Sequence, residues 1–134
     1  MTRTVSSDGI AMVKRFEGFS AKAYLDTGKV LTIGYGHTSD SDYVVRPGAV
    51  ITEARAEALL KLDLREAEEA VERLVKVPLT DNQFAALVSF VFNVGEGQFK
   101  GSTLLKKLNK GGYASVPSEL RSGSTTMASA SRGW

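Results

Sequence analysis

Between Thr52 and Leu74 the apolar residues Leu59, Leu60, Ala67, Ala70, Val71 and Leu74 recur at helical spacing, with Thr52 placed as a cap. A helix of that length in a chain of 134 residues separates an N-terminal portion from a C-terminal one. Its other face carries Glu53, Arg55, Glu57, Arg65, Glu68, Glu69 and Arg73, which reads as solvated and ion-paired. Ahead of it, Ser6-Ser7-Asp8 opens a shorter helix through Ile10, Val13 and Phe16 that closes at Glu17, where Gly18 supplies a stop. Short strands come next over 24–25 and 30–35, and 39–48 is polar and loop-like. Beyond the long helix, Thr80 and Gln83 form a capping box for a core helix bearing Phe84, Leu87, Val88 and Val91, ended by Gly95 and Gly97. A short helix over 102–109 stops at Gly111-Gly112. The expected class is α+β and mostly helical: a small N-terminal lobe with short strands, joined by a long helix to a helical lobe.

Two carboxylates and a hydroxyl surround the glycine-punctuated run Thr32-Ile33-Gly34-Tyr35-Gly36-His37. Glu17 falls at a helix C-terminus, where the negative helix end and neighbouring Phe16 both disfavour ionisation. Asp26 falls in the polar turn Asp26-Thr27-Gly28-Lys29, where solvent and backbone donors keep it ionised. Two carboxylates pushed apart in pKa are what an acid/base pair at neutral pH requires, and glycoside hydrolysis is the reaction class that most often needs one. Taken singly, Glu17 is also explained as a cap-region charge and Asp26 as a turn-former.

Composition narrows the alternatives. A net charge of +2 is too small to imply a nucleic-acid partner, though mild basicity suits an anionic cell wall. Without cysteine there is no disulfide or thiolate metal site, and a single histidine argues against a histidine-rich metal centre. No run approaches the ~20 apolar residues of a membrane span. The N-terminal residues lack the apolar centre of a secretory signal.

The segments Phe16-Glu17-Gly18, Ala23-Tyr24-Leu25-Asp26 and Leu31-Thr32-Ile33-Gly34-Tyr35-Gly36-His37-Thr38 closely resemble the active-site region of phage-type lysozymes, the endolysin family of muramidases. The resemblance continues through Val77-Pro78-Leu79-Thr80 and the core helix to Phe92-Asn93-Val94-Gly95 and Ser102-Thr103-Leu104-Leu105, and covers about residues 6 to 120. It implies a lysozyme-like fold that cleaves bacterial peptidoglycan between N-acetylmuramic acid and N-acetylglucosamine. By the same resemblance Glu17 matches the general acid, Asp26 the second carboxylate, and Thr32 the hydroxyl that helps hold an attacking water, with inversion as the outcome if water attacks. No metal or cofactor is implied. The expected setting is lysis by a monomer that starts in the host cytoplasm and reaches the wall through a membrane pore made by another protein. Two rivals are a lytic transglycosylase, against which Asp26 and Thr32 weigh, and an inactive remnant or wall-binding module. One departure touches the site: the family usually has glycine three residues after the aspartate, where this chain has Lys29, and the turn is expected to re-form around Gly28.

Other residues carry secondary expectations. Asn93, which the resemblance places facing the cleft, is either a sugar ligand or a helix C-cap. Lys100, Lys106, Lys107 and Lys110 form a solvated face that could also help hold an anionic wall. His37 is expected to pair with Asp63, which interrupts the apolar side of the long helix. Residues 121–134 are serine-, threonine- and alanine-rich with no apolar stripe, which suggests a shifted reading frame. The expected division is a lysozyme-like domain over 1–120 with an incomplete C-terminal part, then a divergent, disordered tail, leaving the protein marginally folded and weakly active or inactive.

Overall fold

The computed structural model describes residues 3–41 and 43–123, with the side chains of 121–123 excepted. Within that span the chain forms α1 (Ser7–Glu17), β1 (Ser20–Leu25), β2 (Leu31–Gly34), β3 (His37–Thr38), α2 (Glu53–Leu74), α3 (Asp81–Val94), α4 (Glu96–Lys100), α5 (Thr103–Asn109) and α6 (Val116–Gly123). Among the described residues two compact units emerge, one within residues 17–63 and one of residues 3–16 with 64–123.

In the unit of residues 17–63, the strands form an antiparallel sheet in the order β1-β2-β3. β1 starts four residues earlier than the sequence suggests, because its outer edge is also paired. Ala23 N–H donates to the Ala49 carbonyl, Ile51 N–H donates to that of Ala21, and Lys22 bridges Val50. Ile33, Tyr35, Val45 and Ile51, together with Ala56, Leu59 and Leu60 of α2, are buried apolar residues of this unit. Gly34, at φ 65°, is required where β2 meets the helix, since a Cβ there would lie 2.9 Å from the Ala56 Cβ.

The other unit is helical and built around α3, whose residues 84–91 are all buried. A helix apolar on every side has to be enclosed. The Thr80 hydroxyl accepts from Gln83 N–H while the Gln83 side chain accepts from Thr80 N–H, so the expected capping box is present. Ser102 caps α5 by accepting from Leu105 N–H, and Leu104, Leu105 and Leu108 turn inward. Gly95 both ends α3, at φ 91°, and starts α4, a short helix absent from the sequence expectation. The chain then passes through a 3-10 turn at Tyr113–Ser115 into α6, which buries Val116 and Leu120 and continues through residues 121–123. Of the tail, residues 124–134 lie outside the described residues.

One side chain of α2 departs from its expected place on the solvated face. Glu68 is only 5% exposed, because residues 3–5 run along the helix there. Its Oε2 accepts from Val5 N–H at 2.7 Å, and one turn further on Glu72 accepts from Arg3 N–H at 2.7 Å. Arg3 is held in turn by Asp81 at 3.0 Å and lies over the Phe84 ring.

Candidate functional site

Glu17 is set by the way α1 begins and ends. The Ser6 hydroxyl accepts from Gly9 N–H and its carbonyl from Ile10 N–H, the pattern of an N-cap. Ile10, Met12 and Val13 are buried along the helix, which fixes its rotation. Glu17 is the last helical residue, half-buried, and Gly18 at φ 76° turns the backbone out of the helix toward β1.

Asp26 and Thr32 belong to the hairpin formed by β1 and β2. Lys29 N–H donates to the Asp26 carbonyl across the turn, and Asp26 N–H donates to the Val30 carbonyl to close it. The Asp26 Oδ1 accepts from Gly28 N–H at 2.8 Å and from Val30 N–H at 2.9 Å, so backbone donors fix the carboxylate's orientation. Thr32 is 4% exposed, and its hydroxyl donates to the same Val30 carbonyl at 3.0 Å. In the sequence Val30 reads only as a strand residue, yet its peptide groups join the two side chains. Backbone roles of this kind leave no mark on residue type.

The turn does not re-form around Gly28. Lys29 itself takes the left-handed conformation, φ 63°, and Gly28 does not have positive φ. The reason is that a three-residue hairpin loop of this kind needs its left-handed residue in the last loop position, which Lys29 occupies.

Beyond the bend formed by Tyr35 and Gly36, the ring of His37 is 2% exposed. Its Nδ1 lies 2.7 Å from Asp63 Oδ2, and its Nε2 lies 3.1 Å from the Tyr43 carbonyl and 3.4 Å from Asp40 Oδ1. Burial, the largest single influence, lowers the imidazole pKa. The hydrogen bonds to Asp63 and Tyr43 and the charges of Asp63 and Asp40 together outweigh it and raise the pKa above 6.5. One ring nitrogen and two carboxylate oxygens here lie within 4.8 Å of one another. Both ring nitrogens face oxygen acceptors, an arrangement that suits a protonated imidazole rather than a cation ligand.

In the helical unit, Asn93 sits in the last turn of α3 and donates from Nδ2 to the Ser89 carbonyl at 2.8 Å, while Gly95 takes the C-cap position. Among the lysines, Lys107 is paired with Glu119 at 2.8 Å, whereas Lys100, Lys106 and Lys110 lie on exposed positions. The structure thus joins Asp26 to Thr32 and His37 to Asp63, and places Glu17 in the same unit as those four.

The Phage lysozyme family matches residues 14–129, continuing past residue 120 where the resemblance read from the sequence is expected to end. The endolysin of Bacillus phage B103 is 46% identical over 117 residues, which make up 86% of this chain and 43% of that protein. The chain therefore spans less than half the length of that relative. The endolysin of Salmonella phage P22 is 46% identical over 110 residues, 81% of this chain and 75% of that one. Among solved structures, the muramidase domain of SpmX from Asticaccaulis excentricus is similar with a TM-score of 0.83 and 34% identity, covering 98% of this chain and 97% of that one.

Proposed function

Since the chain belongs to the phage lysozyme family and has that family's fold, we propose that it hydrolyses the glycan strands of bacterial peptidoglycan during host lysis. The observation that carries this reading is the hairpin in which Asp26 and Thr32 share the peptide groups of Val30, within the same unit as Glu17. In this reading Glu17 donates a proton to the leaving sugar oxygen. Asp26, as carboxylate, stabilises the positive charge that develops on the ring, and with one oxygen held by two N–H donors the other is the one to meet substrate or water. The Thr32 hydroxyl spends its hydrogen on the Val30 carbonyl, so toward water it acts as an acceptor. A water held by Thr32 and Asp26 then has a lone pair directed at the anomeric carbon, Asp26 takes the proton that the water loses as the bond forms, and the product is inverted.

The linkage cleaved is that between N-acetylmuramic acid and N-acetylglucosamine, and the acting species is a monomer. Asn93 contributes a hydrogen bond to a sugar amide. No helix among the described residues is long and apolar enough to cross a membrane. The proposal includes passage from the host cytoplasm to the wall through a pore made by another protein, so that purified protein lyses permeabilised cells and leaves intact cells whole.

The deciding experiment is Glu17→Gln in the purified protein, assayed by the reducing ends released from peptidoglycan. The folded variant should lose on the order of 10²- to 10⁴-fold in rate, the share that general acid catalysis contributes. A variant within a few-fold of the parent would remove Glu17 from the mechanism. A parent that releases anhydro ends would replace hydrolysis with transglycosylation, and one that releases none would leave a wall-binding module.

A further inference from the structure

Tyr24 is 43% exposed, although it is the largest side chain of β1 and lies two residues before Asp26. Its Cα is paired directly with that of Thr32 across the hairpin. Residues opposite one another in an antiparallel pair project from the same face, and so do residues two apart along an extended strand. Tyr24, Asp26 and Thr32 therefore emerge on one face, while Leu25 and Leu31 pair on the other. The backbone at Tyr24 is held by β2 on one edge, and the residues just before it, 21–23, are held by residues 49–51 on the other.

Resting on the glycan-hydrolase reading, we propose that the Tyr24 ring is the platform on which one N-acetylhexosamine of the substrate stacks, setting which sugar lies over Asp26 and Thr32. A pyranose ring presents a face of C–H groups flanked by hydroxyls, and a tyrosine presents an apolar ring ending in a polar group, so the two match in both respects. Only two side-chain torsions have to be fixed on binding, and the strand has already fixed the backbone. Phe19, the other exposed aromatic of this unit, is accounted for differently: its ring packs on Tyr35 at 5.3 Å, and the Tyr35 hydroxyl donates to Glu53 at 2.9 Å. Tyr24 is the aromatic that the sheet itself sets beside the candidate water-holding pair.

The test uses the whole chain with a soluble probe, the β-1,4-linked tetramer of N-acetylglucosamine, measured by calorimetry beside steady-state kinetics on peptidoglycan. Tyr24→Ala should bind the tetramer about tenfold more weakly and raise KM by a similar factor, with kcat within about threefold of the parent. Tyr24→Phe and Tyr24→Trp should stay within about threefold of parental binding, whereas Tyr24→Leu should be as weak as Tyr24→Ala. The leucine variant also serves if the alanine variant fails to fold, because it keeps apolar bulk and loses only the aromatic face. Leucine binding as well as tyrosine, or a parent that does not bind the tetramer, would overturn the platform. A parent that binds through Tyr24 without releasing reducing ends would uphold the platform and overturn the hydrolase reading, so the two ideas fail separately.

Discussion

Asp63 Oδ2 and His37 Nδ1 lie 2.7 Å apart, linking the long helix to the β3 strand by a hydrogen bond to a buried ring. The opposite nitrogen faces the Tyr43 carbonyl, so each nitrogen is offered an acceptor and the ring is bound most tightly as imidazolium.

Stability should therefore depend on pH through this residue. The folded pKa lies above the ordinary value of 6.5, so the pair's contribution is complete below that value and is lost as pH rises through the folded pKa. Thermal midpoints from pH 5 to 9 should fall across that window in the parent and much less in Asp63→Asn. An NMR titration placing the folded His37 pKa at or below 6.5 would contradict the account.

Glu68 leads to a different pair of outcomes. Its burial, opposed by the Val5 N–H bond and by Arg65, raises its pKa above 4.5, so this group favours the folded state most at low pH and loses that contribution as pH rises through the folded pKa. Glu68→Gln keeps an acceptor for Val5 and removes the charge, so it should stay within about 1 kcal/mol of the parent at pH 7. Glu68→Ala strands the Val5 N–H and should cost about 1–3 kcal/mol. Urea unfolding of both variants checks the contrast, and equal stabilities would mean that the strap of residues 3–5 does not depend on this acceptor.

Glu68 also marks the limit of what helical spacing can convey. The period of Leu59, Leu60, Ala67, Ala70 and Val71 identifies the buried stripe of α2, and the caps at Thr80 and Ser102 locate the starts of α3 and α5. A charged residue beside that stripe reads as solvated until the N-terminal segment is placed over it, and that placement rests on backbone N–H groups that every residue carries. The same reason hides the part played by Val30 between Asp26 and Thr32. His37 and Asp63 were legible because the chain has one histidine and Asp63 interrupts the apolar side of the helix. β3 and α6 were not: the first is two residues long, and among its described side chains the second buries Val116 and Leu120, too few to establish a period.

Lys29 carries a local conformational cost. A side chain in the left-handed region costs about 1–2 kcal/mol, part of which glycine would return through the larger entropy of its unfolded state. Lys29→Gly should thus stabilise the protein by about 0.5–1 kcal/mol, and Lys29→Val should destabilise it, since a β-branched residue tolerates positive φ least. Guanidinium unfolding of the two variants measures the difference. A neutral or destabilising glycine would show that the lysine side chain has contacts that offset its backbone strain.

Thr32 tests the water-holding role by separating its hydroxyl from its place in the strand. Thr32→Val preserves the branched shape in a buried position but removes the oxygen, and Thr32→Ser preserves the oxygen but removes a methyl group. If the hydroxyl orders the attacking water, the valine variant should lose on the order of a hundredfold in kcat with little change in KM, because the interaction matters in the transition state rather than in binding. The serine variant should keep kcat within about tenfold of the parent, and its main loss should be in stability, about 0.5–1.5 kcal/mol for one buried methyl group. Proton NMR of the nascent sugar should show an inverted anomeric centre in the parent. Retention of configuration would transfer the attack from water to Asp26, and a valine variant with parental kcat would leave Thr32 as a strand residue whose hydroxyl serves only the Val30 carbonyl.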